Sequence, residues 1–122
     1  MKICLVVDDS DIIRKYTRLI FESLGYRCIE AESPQEAFDK LAGAPPELIL
    51  VDWRMPGTDS RAFIAELRKQ KLDLRPYIIY LTTDNDAADI QRALKAGADD
   101  FLLKPFNRDI IEMKIREIRV AA

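Results

Sequence analysis

The chain has 122 residues, 48% of them apolar, which is enough for the core of one domain. Its formal net charge of −2 supplies no basic field for holding nucleic acid or an anionic membrane, so direct binding to either is not expected. Histidine is absent, which removes the usual general base and the commonest metal ligand and leaves oxygen to hold any metal.

Along the chain, Ile3 to Val7 form an apolar run that ends in Asp8 and Asp9, with Ser10 as a helix N-cap. Ile12, Ile13, Tyr16, Leu19, Ile20 and Leu24 recur at helical spacing and predict an amphipathic helix with these residues inward, closed by Gly25. A strand over Arg27 to Ala31 follows. Ser33, Pro34 and Glu36 start a second helix through Ala37, Phe38 and Leu41 to Gly43. After the Pro45-Pro46 break, Leu48 to Val51 run without a polar residue into Asp52, and Pro56-Gly57 makes a turn. Such a bounded apolar run reads as a strand buried on both faces of a parallel sheet.

Asp59 or Ser60 caps a third helix carrying Phe63, Ile64 and Leu67, and Pro76 to Leu81 is a fourth strand ending in Thr82 and Thr83. Asp84 or Asn85 opens a helix with Ile90, Ala93 and Leu94, stopped by Gly97. Phe101 to Leu103 is a fifth strand ending in Lys104-Pro105. Asn107 caps a last helix with Ile110, Ile111, Ile115 and Ile118 on its buried side. Cys4 and Cys28 lie in apolar strand runs and read as buried free thiols. No run approaches the ~18 apolar residues of a membrane span and no signal-peptide pattern opens the chain, so a cytoplasmic location is expected.

Five strand-helix units predict an α/β fold, a flavodoxin-like (βα)5 sandwich with parallel order 2-1-3-4-5. In that order the first and third strands flank the switch point, so Asp8, Asp9 and Asp52 converge in one crevice, with Thr82 and Lys104 at the same edge. Three carboxylates gathered there repel one another and call for a cation, for which Mg²⁺ is the best oxygen-held choice. With Lys104 and Thr82 added, the group can surround a phosphoryl being transferred to a carboxylate oxygen of Asp52.

The segments VVDDS, VDWRMP, LTTDND and LLKPF resemble the receiver domain of two-component response regulators, over the whole chain of residues 1–122. The resemblance implies a phosphoacceptor switch that catalyses its own phosphorylation and dephosphorylation, with Asp52 accepting phosphate from a histidine kinase. It implies further that Asp9, Asp52 and the Arg54 carbonyl bind Mg²⁺ directly while Asp8 acts through a metal-bound water. Thr82 would hydrogen-bond the phosphoryl group, Lys104 would pair with it, and Phe101 would be the aromatic switch residue. Arg54 and Asp84 occupy variable positions beside the path of attacking water and are expected to tune hydrolysis.

KICLVVDDSDIIRK and KPFNRDIIEMK are similar, more narrowly, to CheY-like single-domain chemotaxis regulators of the alphaproteobacterial type. That implies a monomer whose fourth helix, fifth strand and fifth helix engage a flagellar motor switch protein. The alternatives are a receiver cut from a larger regulator with a DNA-binding or enzymatic output, or a phosphate-sink or relay receiver. Asp59 precedes Ser60 where the family pattern has Asp-Gly, so a different turn geometry is expected there.

Competing chemistries fit less well. Asp8 and Asp9 would repel a flavin phosphate, no glycine-rich loop ends in Gly-Lys-Ser/Thr, and Arg54 stands where an aspartate-nucleophile phosphatase carries a second Asp.

Overall fold

Every helix begins at a side chain that occupies amide donors of its first turn, groups that would otherwise be left without partners. Ser10 accepts from the Ile13 amide ahead of α1 (Asp11–Ser23), and Ser33 accepts from Glu36 ahead of α2 (Pro34–Leu41), which has Pro34 in its first turn. Asp59 caps α3 (Ser60–Lys69) and Asp86 caps α4 (Ala87–Ala96). Asn107 accepts from the Ile110 amide at the start of α5 (Arg108–Ala121). The computed structural model describes residues 2–43, 45–70, 72, 75–83 and 86–121, with side chains as far as Ile118. Asp84 and Asn85, expected to open the fourth helix, lie outside the described residues, and the cap is Asp86 instead.

The strands are β1 (Lys2–Val7), β2 (Tyr26–Ala31), β3 (Leu48–Asp52), β4 (Arg54–Met55), β5 (Thr58–Asp59), β6 (Tyr77–Thr82) and β7 (Asp100–Leu103). Five of them form one parallel sheet in the order β2-β1-β3-β6-β7. This is the expected flavodoxin-like order once the two-residue strands β4 and β5 are set aside. Those two pair antiparallel across a turn in which Gly57 has φ 74°, a conformation glycine adopts without strain. This small ladder carries no strand signal in the sequence, being too short for alternation to register.

Strand periodicity divides the core into two layers. Leu5, Val7, Ile49, Val51, Ile78 and Tyr80 pack with α2, α3 and α4 through Ala37, Leu41, Phe63, Ile64 and Ala93. Cys4, Val6, Leu48, Leu50, Ile79, Leu81 and Leu102 pack on the other face with α1 and α5 through Ile20, Phe21, Ile111 and Ile115.

The inward face expected for α1 is corrected. Arg14, Thr17, Ile20 and Phe21 are buried, whereas Ile12 is 80% exposed, Leu19 62% and Tyr16 is also largely outward. Counting only apolar residues turned the stripe by about one position, because the buried side includes an arginine and a threonine whose polar atoms are bonded within the fold. Ile110 and Leu94 are likewise exposed rather than packed. Cys4 is buried and Cys28 half-buried, and both are free thiols. Among the described residues, no helix is long and apolar enough to cross a membrane.

At the amino-terminal edge of the sheet, Arg68 of α3 donates to the Gly97 carbonyl at 2.8 Å and the Pro76 carbonyl at 2.7 Å, and pairs with Asp99. Gly97 ends α4 with φ 129°, and a Cβ placed there would lie 2.5 Å from Arg68 Cγ. Gly97→Ala is therefore expected to cost roughly 2 kcal/mol, from left-handed backbone strain plus displacement of Arg68. Urea denaturation measures the loss, and because this edge lies opposite the crevice, the arrangement of Asp8, Asp52 and Lys104 should be retained.

Candidate functional site

The site is built by continuing the sheet one step past its strands. The Asp8 amide donates to the Ala31 carbonyl at 3.0 Å, Trp53 to Leu81 at 2.8 Å and Lys104 to Thr82 at 2.8 Å. These ladder bonds hold the backbone after β1, β3 and β7 in strand geometry, so the period of two persists beyond the last apolar residue. Asp8 follows the row of Cys4 and Val6, Asp52 that of Leu48 and Leu50, and Lys104 that of Leu102. All three side chains therefore fall on the α1 and α5 side of the carboxyl edge.

Asp8 and Asp52 are almost fully buried, 1% and 4% exposed, while Asp9 is exposed. One carboxylate oxygen from each lies within 4.8 Å of the others. Lys104 Nζ donates to Asp52 Oδ1 at 2.6 Å and to Asp8 Oδ2 at 3.3 Å. Burial pushes the Asp52 carboxyl above its usual range; Lys104 pulls it down, and the charges of Asp8 and Asp9 push it up again. Lys104 thus bonds two of the three clustered acids, and a set made only of oxygen donors is able to hold a hard divalent cation. A cavity of about 220 Å³ opens here, lined by Asp8, Asp9, Ser10, Asp52, Trp53, Arg54, Thr83 and Lys104.

Thr82 does not line this cavity. It continues the Ile78 and Tyr80 row onto the opposite face of the sheet and is fully buried, whereas Thr83 faces the acids. Phe101 is half-buried and stands beside Tyr80 in register, so Thr82, Tyr80 and Phe101 share the α4 side. Arg54 is exposed at the rim. Asp84, expected as its counterpart, lies outside the described residues.

Three residues at the site were not anticipated. Ser60 is buried and its hydroxyl lies 2.6 Å from the Asp52 carbonyl and 3.1 Å from that of Trp53, bracing the backbone on both sides of the Asp52-Trp53 peptide. Tyr80 donates its hydroxyl to Asp89 of α4 at 3.0 Å, and burial together with Asp89 pushes its pKa well above the usual phenol range. Arg14 donates to the Asp8 carbonyl at 2.8 Å. Only Ser60 had a signal in the sequence, as the residue that replaces glycine after Asp59.

Residues 4–116 match the family model described as the response regulator receiver domain. The chain belongs to this family. The receiver is 37% identical over 106 residues to the phosphate regulon transcriptional regulatory protein PhoB of Pseudomonas aeruginosa, a match covering 87% of this chain and 46% of that protein. It thus spans about half the length of the PhoB relatives it matches. With the chemotaxis protein CheY1 of Helicobacter pylori strain 26695 it shares 33% identity over 116 residues, 93% of this chain and 94% of that one. Among solved structures, Vibrio cholerae chemotaxis protein CheY4 superposes with a TM-score of 0.89 at 29% identity, covering 96% of this receiver and 98% of that chain. The chain is accordingly a phosphoacceptor-switch module of the response regulator family.

The crowding of acids has a measurable consequence. A carboxyl whose pKa is raised by folding favours the folded state when protonated and loses that contribution as pH rises through the raised value. Asp52→Asn, which is neutral throughout, is expected to stabilise the metal-free receiver at neutral pH by about 1 kcal/mol, with the gain vanishing below the ordinary aspartate range. Urea titrations in EDTA across pH check it, and a destabilised variant at neutral pH would contradict the account.

Proposed function

We propose that this receiver accepts a phosphoryl group on Asp52 from a histidine kinase, and that residues 1–122 act as one receiver domain. The observation that carries the proposal is the Lys104 ammonium bonded at 2.6 Å to a buried Asp52 within a three-carboxylate cluster. An Asp52 carboxylate oxygen attacks phosphorus, an O–P bond forms, and the donor's P–N bond breaks with its electron pair leaving on the imidazole nitrogen. Lys104, already in place, pairs with a phosphoryl oxygen as negative charge is carried into the crevice.

Mg²⁺ suits the all-oxygen set. Asp9, Asp52 and the Arg54 carbonyl would hold it, with Asp8 acting through a water. When bound, the ion neutralises phosphoryl charge and orients the group for in-line displacement. The exposed face of α1 supports docking of a protein donor: beside the acids, an apolar groove of about 620 Å³ is lined by Ile13, Tyr16, Thr83, Lys104, Pro105 and Phe106.

For the switch, Thr82 moves from its buried place on the α4 side toward the crevice to hydrogen-bond the phosphoryl group, and Phe101 turns inward as it does so, shifting an existing equilibrium between two conformers. Their shared face with Tyr80 supports this reading. The output surface is α4, β7 and α5, where Leu94, Leu103, Ile110 and Met113 stand exposed as contacts for a partner. Similarity to chemotaxis proteins along nearly their whole length favours a monomeric, cytoplasmic regulator whose partner is a flagellar motor switch protein. Identity to PhoB, a transcriptional regulatory protein about twice as long, favours a second reading, a receiver attached to a DNA-binding output. Back-transfer from phospho-Asp52 to a phosphotransfer protein would instead mark a relay.

Acetyl phosphate with Mg²⁺ should label the wild type and not Asp52→Asn, with labelling lost in EDTA, as read by intact mass. Beryllofluoride should shift amide resonances of α4, β7 and α5. Labelling of Asp52→Asn at the wild-type level would defeat the proposal.

In this proposal Arg54, exposed at the rim, and Asp84, two residues past Thr82 in the sequence, tune hydrolysis of the phosphoryl group. An exposed ion pair is worth only about 0–1 kcal/mol, so the effect on lifetime comes from blocking water. Arg54→Ala should therefore lose its phosphoryl group several-fold faster, on the order of 1 kcal/mol in barrier. An unchanged or slower autodephosphorylation rate would remove the role.

A further inference from the structure

We propose that Arg14 is a positioning residue for the cation site, holding the Asp8-Asp9 peptide in the orientation that presents Asp9 to the ion. The inference rests on reading the acidic cluster as a Mg²⁺ site.

Arg14 comes from the buried face of α1 and is only 8% exposed. Each of its three guanidinium nitrogens is bonded. Nη1 donates to the Asp8 carbonyl and Nε to Glu30 Oε1, each at 2.8 Å, while Nη2 reaches the Asp11 carboxylate at 2.5 Å. Glu30 is held from its other oxygen by Arg18. The arginine therefore spans from β2 to the loop after β1, and only a planar fork with several fixed donors can do so.

What it holds is the backbone that carries two of the three acids. The Asp8 amide is fixed to Ala31 of β2, its Oδ1 accepts from the Ser10 amide at 2.9 Å, and its Oδ2 faces Lys104. The carbonyl remains, and Arg14 occupies it. That carbonyl belongs to the peptide plane leading into Asp9, which is exposed and takes its direction from this plane. With the amide tied to a strand and the carbonyl tied to a helix, the loop is set before any ion arrives.

Charge and position make opposite predictions for removal of the side chain. Arg14 is a positive group near a cation site, so by Coulomb attraction and repulsion alone its loss should tighten Mg²⁺ binding. If Arg14 instead fixes the ligand-bearing peptide, its loss should loosen binding, as removal of partners behind metal ligands commonly does by about 10-fold or more.

The experiment titrates Mg²⁺ into the whole chain and follows Trp53 fluorescence, with Arg14→Met to remove the fork at similar length and Arg14→Lys to keep the charge without the fork. Arg14→Met is expected to weaken Mg²⁺ binding roughly 10-fold and Arg14→Lys about 3-fold. In acetyl phosphate labelling, the Mg²⁺ concentration for half-maximal rate should rise while the rate at saturating Mg²⁺ stays near wild type. Should Arg14→Met not fold, as judged by circular dichroism in EDTA, Arg14→Lys decides alone. Equal or tighter Mg²⁺ binding by the folded variant overturns the role of Arg14, whereas failure of the wild type to bind Mg²⁺ overturns the metal reading itself.

Discussion

Three carboxylates forced together at one sheet edge, with a single ammonium among them, are the constraint around which this molecule is organised. The arrangement is unfavourable by itself, since buried acids lose water and repel one another. It persists because each acid is carried by backbone that cannot move independently. β1 and β3 are neighbours inside a five-stranded sheet, and the residues just past them are still bonded as strand. Apolar layers on both faces stabilise the sheet, and the sheet in turn imposes the crowding.

The same alternation sorts function by face. Asp8, Asp52 and Lys104 lie on the side of α1 and α5, where a donor can approach. Thr82, Tyr80 and Phe101 lie on the side of α4, where a response can leave. In the proposed switch a signal would cross the sheet at β6, where Thr82 and Thr83 are consecutive residues facing opposite layers. The Lys104 amide bonded to the Thr82 carbonyl ties the ammonium to that same strand end.

Much of this was legible in the sequence because it depends on short-range rules. Continuous apolar runs ending in Asp8, Asp52, Thr82 and Lys104 located the strands, and their order followed from alternation with helices. What periodicity could not resolve was the orientation of α1, since Arg14 and Thr17 count as polar yet are satisfied inside. Apolar counting is blind to hydrogen bonds made across long sequence distances, such as Arg14 with Glu30. Nor could it tell Thr82 from Thr83, adjacent residues of one type that differ only in which side of the pleat they occupy. The short β4 and β5 ladder and the bracing hydroxyl of Ser60 both depend on three-dimensional closure that local composition does not encode.

Arg68 gives the two ends of the sheet unlike mechanical character. At the amino-terminal edge one guanidinium stitches together the backbone ahead of β6, the turn after α4 and Asp99 ahead of β7, all through attraction. The opposite edge is assembled from groups that push apart. A charge added at the crowded edge would therefore meet like charges at one end of strands whose other end is tied together by Arg68.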